Sequence, residues 1–218
     1  MKPSFTSCLD LQQVNFIARA FDADEKCIYV YEGHNKVTLG AGRQLVKMLA
    51  GHTQGWNPAS SNIGITKFVL FGIDATESVG STDCETQMLA GDFGTYFTNL
   101  DPILLSSIDA TAFPCLLASD NISVTTVPVN SCATLTTPTV DDTSYMSSDV
   151  TDNELAICIR VGPGYVAQGL QKYYAMAALV GKSVDPSDTN EYCFALEQFP
   201  VMIKTNSVTF RFLWTISI

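Results

Sequence analysis

The sequence predicts a mainly β protein: an antiparallel, sandwich-like domain with one or two short α-helices and long loops. Three observations carry that prediction. Val208, Phe210, Phe212, Trp214, Ile216 and Ile218 alternate with Ser207, Thr209, Arg211, Leu213, Thr215 and Ser217, the period-two pattern of a half-buried strand. Three further runs, ITKFVLFGI (65–73), LAICIRV (155–161) and YYAMAALV (173–180), are short, apolar and bounded by Gly, Asp or Pro. Charged residues make up 16% of the chain, well below the usual value of about 25%. Ser, Thr and Asn carry the polar balance instead, which suits sheets with hydroxyl-decorated faces.

In chain order, Leu11, Val14, Ile17, Ala18 and Phe21 recur at helical spacing and predict an amphipathic opening segment. A strand is expected over 27–31, a turn around Gly33 over 32–35, and a return to extended chain over 36–39. Residues 41–51 (AGRQLVKMLAG) give the clearest helix. Leu45, Met48 and Leu49 share a face, and Gly51 supplies a stop. The Gly-, Ser-, Asn- and Pro-rich stretch 52–64 predicts a loop, followed by a buried strand over 65–73. DPILLSSI (101–108) reads as a short helix or a loop, and 122–129 as a strand. Residues 130–152 are almost wholly Thr, Ser, Asp and Pro and predict a long exposed loop or arm that makes contacts. Strands follow at 155–161 and 173–180, although the Ala and Met of the latter suit a helix as well. A short helix is expected over 193–199 before Pro200, then a strand over 201–204 and the long alternating one. One domain spanning 1–218 accommodates all of these, being long enough to bury a substantial core.

Composition narrows the function. A net charge of −10 repels phosphate backbones and anionic bilayers, which argues against nucleic-acid or membrane partners. No run approaches the ~20 apolar residues of a membrane span. The N-terminal MKPSFTSCLDLQQ has no apolar signal core, so the expectation is a protein made in the cytoplasm. The seven cysteines (Cys8, Cys27, Cys84, Cys115, Cys132, Cys158 and Cys193) contain no C-x-x-C pair and form no metal-ligand pattern with His34 or His52. They read as reduced, mostly buried apolar residues.

Motifs for chemistry are missing from the sequence. LGAGRQL (39–45) has G-x-G before a helix but neither the third Gly nor the Lys-Ser/Thr of a phosphate loop. Gly40 and Gly42 are therefore expected to permit a tight strand-to-helix turn, with Arg43 anchoring it or bridging to a subunit. The acidic group Asp149, Asp152 and Glu154 lacks the Gly and spacing of a calcium loop. No G-x-S-x-G accompanies the two histidines. The expectation is a protein with no enzyme activity, cofactor or metal. Phe212 and Trp214 are expected in the core, and Trp56, in its polar loop, as an exposed contact.

Two blocks carry a resemblance. NKVTLGAGRQLVKMLAG (35–51) followed by ITKFVLFG (65–72), and FALEQFPVMIKTNSVTFRFLWTISI (194–218), together resemble structural proteins of tailed bacteriophages associated with the tail, baseplate and neck. The resemblance implies a virion component without catalysis, a homo-oligomer whose partners are copies of itself and other virion proteins. A capsid decoration protein and a carbohydrate-binding host-recognition module are the alternatives.

Overall fold

The structure, a computed structural model, describes residues 13–34, 36–37, 64–73, 120–123, 144–151, 154–182 and 191–217. Its organising element is the alternating run, strand β10 (Thr209–Ser217). It lies at the centre of a five-stranded antiparallel sheet, sheet A, ordered β2-β1-β10-β7-β6. Here β1 is Gln13–Phe21, β2 Cys27–His34, β6 Tyr145–Thr151 and β7 Glu154–Val161. The second sheet, sheet B, is ordered β3-β9-β8-β4-β5. Its members are β3 (Lys36–Val37), β4 (Gly64–Ile73), β5 (Asp120–Ser123), β8 (Lys172–Lys182) and β9 (Glu191–Lys204). Every pairing is antiparallel. The fold is thus the expected β-sandwich.

Period two explains which side chains meet between the sheets. Phe16, Ala18 and Ala20 of β1 share the inner face with Phe210, Phe212 and Trp214 of β10 and with Ile157, Ile159 and Val161 of β7. Phe68, Leu70, Tyr174, Leu179, Ala195 and Phe199 oppose them from sheet B. Phe16 is the hub. Its ring lies 5.8 Å from Phe199, 5.8 Å from Phe212 and 4.8 Å from Trp214. Phe68 meets Phe212 at 4.9 Å from the other sheet. Such ring pairs add about 0.5–1.5 kcal/mol each beyond area burial.

Sheet B is buried on its other face too. Val69, Phe71, Ala175, Met176, Ala178, Val180 and Leu196 are buried although they point away from the inter-sheet core. Burial on both faces explains why β8 reads as a continuous apolar run rather than an alternating one.

The sequence expectations meet several corrections. The opening segment is strand β1, not a helix. Its apolar residues fit a period of two as well as 3.6, and pairing with β10 from Gln13↔Ser217 to Phe21↔Thr209 decides between them. The helix expected over 193–199 is part of β9, which continues through Pro200. That proline sits where the β8–β9 register shifts, with Met176 opposite Gln198 and Tyr174 opposite Met202, so no ladder bond is lost there. The turn expected around Gly33 is a continuation of β2 to His34. The last part of the 130–152 loop, Tyr145–Thr151, is β6 and pairs with β7. Among the described residues there is no α-helix, only one 3-10 turn at Pro163–Tyr165. The helix expected over 41–51 and the 101–108 segment lie outside the described residues, as do Gly40, Gly42, Arg43 and Trp56. The cysteines also differ from expectation. Cys158 is disulfide-bonded, Cys27 is a free but exposed thiol, and Cys193 alone among these three matches the expected buried free thiol.

Candidate functional site

The described surface is most distinctive along β2, one of the two outer strands of sheet A among the described residues. Its geometry starts at the hairpin from β1. Asp22 folds that turn by accepting, at one carboxylate oxygen, the amides of Asp24 at 3.0 Å and Lys26 at 2.9 Å. Glu25 is held there at φ 62°, in the left-handed region. A register shift follows, with Ala20 opposite Tyr29 but Phe21 opposite Cys27. The extra residue is Ile28, and this bulge leaves both Cys27 and Ile28 exposed.

Beyond the bulge β2 alternates. Tyr29 and Tyr31 turn inward and tie the strand to sheet B: the Tyr29 hydroxyl donates to the Pro200 carbonyl at 3.1 Å, and the Tyr31 hydroxyl to the Glu197 carboxylate at 2.7 Å. Burial pushes the Tyr29 phenol up to about 12. Burial, together with the neighbouring Glu197 carboxylate, pushes Tyr31 up further. Both therefore stay neutral donors at physiological pH. Gly33 makes room for the second of these bonds. A β-carbon there would meet Glu197 Oε1 and lie 2.8 Å from the Tyr31 ring.

The outward residues of β2 are apolar at its centre and charged at its ends. Ile28 and Val30 are 53% and 56% exposed, and Lys26 and Glu32, on either side, are exposed as well. Val30 begins a row across sheet A that continues through Arg19, Arg211 and Arg160. Arg211 is buried, its guanidinium 5.1 Å from the Phe21 ring centre, and Arg160 is buried too.

A second polar feature lies at the β9–β10 connection, the end of the sandwich that also carries the β1–β2 hairpin. Lys204, at the end of β9, is fully buried. Its ammonium donates to the Thr205 carbonyl at 2.7 Å and the Pro163 carbonyl at 3.5 Å, and lies 5.9 Å from the Phe210 ring centre. It fastens the 3-10 turn to the β9–β10 connection. Burial, helped by the charge of Arg160, draws its pKa down to about 8.

Of the residues singled out in the sequence, the structure describes Phe212 and Trp214, both fully buried in the core as expected. Ile28, Val30, Gly33, Glu197 and Lys204 were not anticipated. The alternation of Ile28 and Val30 with two tyrosines is visible in the sequence, but not which set faces solvent, because either set could fill a core. Among the described residues no three His, Cys, Asp or Glu side chains come together as a metal-ligand group, and no helix there is long and apolar enough to cross a membrane. No protein-family profile, curated protein or solved structure matches the chain.

Proposed function

We propose that this chain is a bacteriophage virion structural protein that works by protein–protein contact in the tail, baseplate, neck or collar. The observation that carries the proposal is β2, an outer strand of sheet A among the described residues. Its exposed Ile28 and Val30 are held on a rigid sandwich by the inward-tied Tyr29 and Tyr31. Exposed edge strands are templates for a further strand, and proteins that stay single usually blunt them with Pro, inward charges or covering loops. Apart from the bulge at Ile28, β2 has none of the first two. The resemblance of residues 35–51, 65–72 and 194–218 to tail, baseplate and neck proteins supports the same reading. So does the low content of charged residues, since subunit interfaces are depleted in charge.

The test is quantitative mass spectrometry of purified particles of the phage encoding the chain. Three, six or twelve copies per particle, or a small multiple, is the expected result. Hundreds of copies would move the protein to the capsid surface as a decoration protein. Absence from the particle would overturn the virion reading altogether.

A further inference from the structure

Of the described cysteines, Cys27 and Cys193 are free and Cys158 is disulfide-bonded. Exposure does not decide which thiol is oxidised: Cys27 is exposed and free, whereas Cys158 is 3% exposed and bonded. The partner of Cys158 is therefore one of Cys8, Cys84, Cys115 and Cys132, and the bond closes a loop of at least 26 residues (132 to 158). Its anchor is fixed from both sides. Cys158 lies in the middle of β7, paired with Leu213 of β10 and Ser147 of β6. Its neighbours Ile157 and Ile159 are buried in the inter-sheet core. Period two turns the Cys158 sulfur to the opposite, outer face of sheet A, which it shares with Arg160.

Thiols in a reducing cytosol stay reduced, and a structural disulfide persists where the medium is oxidising. We infer that the Cys158 bond is a redox lock: open while the chain is in a reducing cytosol, closed once the protein reaches an oxidising medium, and then fastening a remote part of the chain to sheet A. Any destination outside the reducing cytosol satisfies this, a released particle among them, so the lock does not depend on the virion reading. Closure takes a low-molecular-weight disulfide, such as oxidised glutathione, as its oxidant. The thiolate of one cysteine attacks a glutathione sulfur and releases one glutathione thiolate. The thiolate of the second cysteine then attacks the mixed disulfide and releases the other. The two cysteine protons leave on the two glutathiones, so two cysteines are oxidised and one glutathione disulfide is reduced. Once the bond has formed, burial screens the Cys158 sulfur from thiolates in solution, and the lock reopens slowly under native conditions.

The experiment compares thermal melts of the full chain, purified throughout in a phosphine reductant, with the same preparation freed of reductant and treated with oxidised glutathione. Oxidation should raise the melting temperature by about 10 °C, the shift expected for closing a loop of this length in a chain of this size. Alkylation of the oxidised sample in denaturant, followed by peptide mapping without reduction, should find Cys27 and Cys193 alkylated. It should find Cys158 cross-linked within its own chain. Cys158→Ser and Cys158→Ala should lose the oxidative shift, and Cys27→Ser, at an exposed thiol, should keep it. The wild-type melts and mapping decide the matter even if both Cys158 variants fail to fold. A wild-type melt unchanged by oxidation, Cys158 alkylated after oxidation, or the full shift surviving in a Cys158 variant would overturn the lock.

Discussion

Gly33 and Glu25 show how far one residue's backbone can govern the edge. Gly33 lies in a strand, where glycine is ordinarily a poor choice, because the Tyr31–Glu197 hydrogen bond passes over its α-carbon. Gly33→Ala should displace that bond and lower stability by about 1–3 kcal/mol, read as a drop in the urea midpoint with an unchanged m-value. An unchanged midpoint would mean that the tyrosine has room to move. Glu25 presents the opposite case, a bulky residue at φ 62°. Glu25→Asn should relieve part of that strain and raise the midpoint, by about 0.5–1 kcal/mol, since Asn tolerates the left-handed region. Neither residue is legible from the sequence. Gly33 looks like a turn because Gly next to His and Asn usually is one. What places it in a strand is its pairing with Phe16 of β1, and what leaves no room there for a β-carbon is Glu197, a residue far along the chain.

Among the elements, β10 carries the most structure and is the easiest to read. Its alternation is unbroken, and its inner residues Phe210, Phe212 and Trp214 are all fully buried. It pairs with β1 on one side and β7 on the other, so removing 209–217 should leave sheet A in two pieces, with far-ultraviolet circular dichroism losing its strand signal. Trp214→Ala should cost about 3–5 kcal/mol. Trp214→Phe should cost less than its lost area suggests, because the indole N–H is buried without an acceptor and its removal ends that penalty. Equal costs for the two variants would contradict this. β1 and β9 mislead for a shared reason. Short apolar stretches containing Ala, Leu and Phe satisfy both periods, and only the partner strand chooses between them. β6 is hidden because Ser, Asp and Thr dominate it; Met146 is the one residue whose burial is described there, and it packs into the core.

At the scale of the molecule, Lys204, Cys193, Tyr29 and Tyr31 are the described residues that shape the response to pH. The folded chain gives up the Lys204 proton near pH 8, whereas an unfolded lysine keeps it to 10.5. Between those values the unfolded state holds the extra proton, so stability rises with pH, by up to about 1.4 kcal/mol per pH unit. Cys193 acts in the other direction. Burial pushes its thiol up to about 12 against 9.0 when unfolded, so from pH 9 upward the unfolded state loses a proton that the folded state keeps, and stability falls. Tyr29 and Tyr31 add to that fall above pH 10. Thermal melts should therefore improve from pH 7.5 to 9, level off, and decline beyond 10. Lys204→Met should flatten the rise below pH 9, whatever it does to the absolute melting temperature; a rise that survives the substitution would assign it elsewhere. The β1–β10 pairing has a further consequence, for biosynthesis. The partner that completes sheet A is translated some 190 residues after β1 leaves the ribosome, an interval of roughly 10–40 s at about 5–20 residues per second. Throughout it Phe16, Ala18 and Ala20 lack the β10 residues that pair with them, and the nascent chain exposes apolar surface that a chaperone can hold.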